Sequence, residues 1–122
     1  MAQPNSDELQ LIKDFILLPI LQTIVNKNLD EMIRTQDTLK KLYVQTTQIV
    51  MECINKDLIF TNKELRKKNI KVWEVRKDVT GIEHAYTCDG HQGKISLMRQ
   101  VVKVELNVRL NKYISDVTKG YL

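Results

Sequence analysis

The chain has 122 residues, 43% hydrophobic and 28% charged, with four Gly and two Pro, a composition that suits one folded domain and excludes a disordered or collagen-like chain. Its formal net charge of +4 allows an acidic partner such as nucleic acid but is no polybasic tail. That charge is unevenly spread: residues 1–60 carry six bases against eight acids, and residues 61–122 carry thirteen against seven.

Asn5 followed by Glu8 has capping-box spacing, with Asp7 placed to complement the helix dipole, so a helix is expected to begin there. Pro19 interrupts the apolar run Phe15 to Leu21 and predicts a kink or short break. The same run is too short to span a bilayer, and no signal-peptide pattern precedes it, so a cytoplasmic protein with no membrane role is expected. Cys53 and Cys88 then read as free thiols. Abundant Ile, Lys and Asn point to an AT-rich bacterial or phage genome.

From Val25 the series Leu29, Met32, Gln36, Leu39, Tyr43, Thr46, Val50 and Cys53 alternates spacings of four and three, which is a heptad seam. One reading pairs the seam with a second copy of the chain. The other buries it within one domain, because Leu21, Ile33, Leu42, Ile49 and Ile54 widen the stripe. Asn26-Lys27-Asn28, with Asn28 and Glu31 at capping-box spacing, offers a break that would convert a rod into a helical hairpin. A stronger boundary is expected after Phe60, where Thr61 with Glu64 suggests a capping box and Phe60 with Leu65 a hydrophobic staple. These predict a short helix from Asn62 to about Lys68.

Beyond it the pattern changes from helical to alternating. Ile70 to Val75 reads as a strand with a bulge at Trp73-Glu74, Asp78 to Gly81 as a turn and Glu83 to Cys88 as a strand. A second turn over Asp89 to Gly93 and a strand over Lys94 to Arg99 follow. Residues 100–116 fit both periodicities, and a helix is expected because it would cover the sheet. The expectation is an α+β fold: a helical part over 1–60, then a basic part over 61–122 holding a small three-stranded antiparallel sheet and a C-terminal helix. A competing parse makes Lys71 to Val79 a recognition helix and residues 82–99 a wing, giving a winged helix-turn-helix. The β-branched Ile70, Val72 and Val75 and the missing N-cap weigh against it.

Candidate sites fall in the second half. Lys63, Arg66, Lys67, Lys68, Lys71, Arg76 and Lys77 make residues 61–78 the most basic segment, seven bases against three acids, and Trp73 lies within it. Together they form a candidate surface for nucleic acid or a protein partner, although a solvated face is the commoner explanation for such a run. Trp73, Tyr86, Tyr113 and Tyr121 are the aromatics suited to a binding surface. His84, Cys88 and His91 are the one close cluster of metal-ligand types, with Cys53 or Asp89 able to complete a tetrahedral set, and His84 with Cys88 also suggests a nucleophile pair. No P-loop, dinucleotide fingerprint, nucleophile elbow or HExxH pattern occurs. The expected function is therefore non-enzymatic and without a cofactor: a small binding or regulatory protein acting through protein surfaces, by self-association along its long helix or with another protein. A winged-helix DNA-binding regulator is the alternative.

Overall fold

A computed structural model describes residues 4–120; Tyr121 lies outside them. The elements run α1 (Ser6–Arg34), α2 (Lys40–Lys67), β1 (Ile70–Asp78), β2 (Gly81–Cys88), β3 (His91–Met98) and α3 (Arg99–Lys119). This is the expected α+β arrangement, with a meander sheet in the order β1-β2-β3 and antiparallel pairing throughout.

Helix α1 starts as its residues dictate. Asn5 Oδ1 accepts from the Glu8 N–H at 2.8 Å, and Glu8 Oε1 accepts from the Asn5 N–H at 3.0 Å. Pro19 neither kinks the chain into two elements nor ends the helix, because α1 is one helix through it. Its ring sits on the exposed side, where the carbonyl deprived of a partner can be hydrated. The Asn26-Lys27-Asn28 break does not form either. The hairpin turns at Thr35–Leu39 instead, within a run of polar residues, where Thr35 Oγ1 donates to the Met32 carbonyl and Asp37 accepts from the Leu39 N–H.

The expected boundary at Phe60 is a correction. Helix α2 runs through it to Lys67, Thr61 is only 2% exposed, and Phe60 points outward while Leu65 is buried, so neither the capping box nor the staple exists. Thr61 lies on the apolar face of a helix already established over five turns, and burial of that face outweighs a local start signal. The helix ends at Asn69, whose φ of 57° is the left-handed conformation that Asn tolerates after a C-cap. From there the β-branched residues of 70–75 take strand pairing, so the recognition helix, and the winged-helix parse with it, is overturned. The bulge falls between Glu74 and Arg76, later than expected. Asp89 and Gly90, both at positive φ, close the β2–β3 hairpin in two residues.

The core draws on all six elements: Ile12, Leu17 and Leu21 of α1, Ile54 and Leu65 of α2, Ile70, Ile82, Cys88 and Leu97 of the sheet, Val102 and Leu106 of α3. Cross-strand register places Ile70, Val72, Ile82, His84, Cys88, Ile95 and Leu97 on the sheet face turned to the helices, and leaves Lys71, Trp73 and Lys94 on the other. Arg109 ties the helices together from the opposite side. It donates to Asp14 of α1 at 3.1 Å and to Glu105 at 2.5 Å, and Tyr113 donates to Asp57 of α2. No described helix is long and apolar enough to cross a membrane.

Candidate functional site

The helices pack tightly beside the sheet and part toward the tip of the hairpin. Val25 and Val50 are each 3% exposed, whereas Leu42, Tyr43 and Ile114, farther along, are 52%, 42% and 41% exposed. Between them opens a groove of about 560 Å³ walled by the end of α1, the start of α2 and the end of α3. Val25, Met32, Tyr43, Val50, Leu110 and Ile114 supply most of its lining, with Asn28, Thr46, Thr47 and Thr118 as the polar minority. No charged side chain lines it. A groove of this size and chemistry can take an apolar helix face or a small apolar ligand.

The heptad seam is the sequence signal behind this groove. The seam folds back on itself at Thr35–Leu39, so Val25 and Met32 face Tyr43, Thr46 and Val50 across the hairpin instead of continuing along one rod. Thr46, a polar interruption of the stripe, lines the groove. Ile114 carries no such signal and is brought in by the placement of α3 alone.

The basic segment is divided among three surfaces. Lys63, Arg66, Lys67 and Lys68 are exposed on the last turns of α2, with Lys67 Nζ 3.6 Å from Glu64. Lys71, Trp73 and Arg76 belong to the outer face of β1, and Lys77, opposite Ile82, faces the helix side after the bulge. Arg76 is engaged by Asp78 and Thr80, and the hydrogen bonds from Thr80, then from Arg76, hold the Asp78 carboxyl well below the usual carboxylate range. One continuous cationic face does not result.

Cys88 and His91 flank the β2–β3 turn and His84 lies mid-strand on the same sheet face, but among the described residues no group of three or more His, Cys, Asp or Glu could hold a metal ion. Strand pairing explains why: His84 and Cys88 are separated by two strand repeats along β2, and His91 is held opposite Cys88 as a strand residue, not in a turn free to swing toward His84. Cys88 is 2% exposed, and burial pushes its thiol pKa up, which disfavours the thiolate.

His84 is buried at 8% exposure, and its Nδ1 has no hydrogen-bond partner. Burial lowers its pKa below the ordinary 6.5, partly offset by the charge of Glu74 across the strand pair. The unfolded chain therefore takes up a proton that folded His84 resists. Stability is full above pH 6.5 and is lost as the pH falls from there through the lower folded pKa, by about 1.4 kcal/mol for each unit of lowering. Urea midpoints measured between about pH 7.5 and 5 should fall on acidification, and His84→Leu should flatten that dependence.

The family described as YhjD protein matches residues 3–118 of this chain. A relative in Bacillus subtilis (strain 168), named "Uncharacterized protein YhjD", is 27% identical over 121 residues, an alignment spanning 98% of this chain and 94% of the relative. No solved structure matches significantly.

Proposed function

For a chain that belongs to the YhjD family, we propose a non-enzymatic binding or regulatory role exerted through protein surfaces, with self-association at the open end of the helical hairpin as the principal interface. The observation that carries this reading is the uncharged groove at that end and the apolar ridge beside it. Ile33 and Leu39 stand 49% and 51% exposed at the hairpin tip, next to the half-exposed Leu42 and Tyr43 of the groove mouth. Ridge and groove on one end of one molecule are self-complementary: a two-fold axis can seat each copy's ridge in the other's groove, which is how closed dimers bury a shared patch. Removing these four large side chains from water supplies the driving force, and Tyr43 adds a polar tip suited to an interface.

Two unpaired thiols, Cys53 and Cys88, fit a reducing, cytoplasmic setting. An enzymatic role finds no support in the groove, which has no charged side chain. The charged network of Arg109, Asp14 and Glu105 has its hydrogen bonds directed at itself, as a structural clamp does.

Size-exclusion chromatography with light scattering tests the proposal. The expected mass is twice the 14.3 kDa of the chain. Leu42→Asp and Ile114→Asp, at exposed positions where the fold tolerates a carboxylate, should each weaken association by about 10- to 100-fold, because the new charge would be buried unpaired. A wild-type protein that remains monomeric at high micromolar concentration, or a dimer indifferent to both substitutions, would overturn it.

A further inference from the structure

A second cavity, of about 570 Å³, lies where the β1–β2 turn meets α1 and the start of α3, and it shares no lining residue with the groove. Ile20, Ile82 and Val102 form its apolar wall, and Val79, 79% exposed at the turn, also lines it. Lys77 of β1 and Arg99, the first residue of α3, line the same cavity. The Arg99 N–H donates to the Thr80 carbonyl at 3.0 Å, which fixes turn and helix against each other. A neighbouring cleft of about 500 Å³ between α1 and the sheet, lined by Phe15, Pro19, Val72 and the buried His84, shares Ile20, Lys77 and Ile82 with it, so the apolar surface continues along α1.

Charge sets this cavity apart from the groove, which has no charged side chain. Among the described residues neither Lys77 nor Arg99 has a carboxylate within ion-pair distance. Asp78, the one acid in the lining, is already engaged: its carboxylate accepts from Arg76, which lies outside the lining, and from the Thr80 N–H and hydroxyl. Helix α3 adds no acid in its first turn. Two exposed cations thus stand without an offsetting side chain beside an apolar wall. Uncompensated cations favour an anion and an apolar wall favours hydrocarbon, so the complementary molecule carries both. A guanidinium presents a planar fork that matches a carboxylate, and an ammonium adds a point charge. We infer that this cavity binds a small amphipathic carboxylate, a hydrocarbon body with one carboxylate head, the head held by Arg99 and Lys77 and the body laid over Ile20, Ile82 and Val102. A longer tail continues along α1 toward Phe15 and Pro19.

Octanoate, 1-octanol and octylammonium are the probes, since they share one tail and differ in the charge of the head. Titration of isotope-labelled full-length protein, followed by NMR at the amides of Ile20, Ile82 and Val102 and at the Arg99 Nε–H, reads occupancy of this cavity, while Met32, Tyr43 and Ile114 report on the groove. Octanoate is expected to give saturable shifts at the first set, octanol weaker ones and octylammonium none. Lys77→Gln and Arg99→Gln, both at exposed positions, should each weaken octanoate binding by about threefold to tenfold with the urea midpoint unchanged. The ranking of the three heads on the wild-type chain stands by itself should either variant misfold. Absence of saturable octanoate binding, equal binding of octylammonium, octanoate shifts centred on Met32, Tyr43 and Ile114, or affinity indifferent to both substitutions would overturn the inference. Because the two sets of reporters are separate, its failure is distinguishable from failure of the proposal for the hairpin tip.

Discussion

Leu17→Ala is expected to lower the free energy of unfolding by about 3 to 4 kcal/mol, seen as a shift of the urea midpoint with an unchanged slope. Leu17 is 0% exposed in the middle of α1, the helix that borders both the groove and the α1–sheet cleft. Two costs add there: the transfer free energy of the lost methyl and methylene groups, and the cavity left when neighbours relax only in part. Ile12, Ile16, Leu18 and Leu21 of the same helix are also buried, so the backbone on either side is held by its own packing and cannot slide to fill the space. A loss below about 1 kcal/mol would mean that the site collapses freely, and that α1 is less firmly held than its burial implies.

Gly81→Ala is expected to cost about 2 to 4 kcal/mol and to raise amide exchange along the β2–β3 ladder. A Cβ at Gly81 would stand 2.3 Å from the Leu97 carbonyl oxygen and 3.0 Å from the Met98 Cα. Both atoms are backbone, so no side chain can turn aside to make room. The clash falls where Gly81 pairs with Met98, and the adjoining Thr80 carbonyl accepts from the Arg99 N–H at 3.0 Å, linking the first hairpin to the start of α3. Moving this strand end would therefore disturb the docking of α3 and the far wall of the groove. Gly90→Ala is the control. Its Cβ meets nothing within 4 Å, and only the φ of +80° opposes it, at about 1 kcal/mol.

The sites were less legible than the elements that carry them. The seam from Val25 to Val50 was visible as an apolar repeat, and Val25, Met32, Tyr43, Thr46 and Val50 of it line the groove, but periodicity is the same for a stripe that pairs with another molecule and one that folds onto itself. What decides between them is the turn at Thr35–Leu39, whose stabilising bonds come from Thr35 and Asp37. The uninterrupted polar run from Arg34 to Thr38 was the available signal for it. The cleft at His84 had no comparable trace. Phe15 and Pro19 are about 65 residues from His84 in the chain, and nothing local in either segment encodes the other. Arg109 and Asp14, 95 residues apart, meet for the same tertiary reason.

By itself the sequence determined the α+β class, the capped start of α1, the two hairpin turns and the strand character of residues 70–75. Each rests on short-range physics: a side chain reaching a backbone group three residues away, a positive φ tolerated by Asn, Asp or Gly, a β-branched residue disfavouring helix. Only the tertiary structure decided that α2 continues through Thr61, that the seam closes on itself, and that His84 is buried beside an open cavity. Those outcomes depend on which apolar faces find one another, and burial of a whole helix face outweighs a single cap worth about 1 kcal/mol.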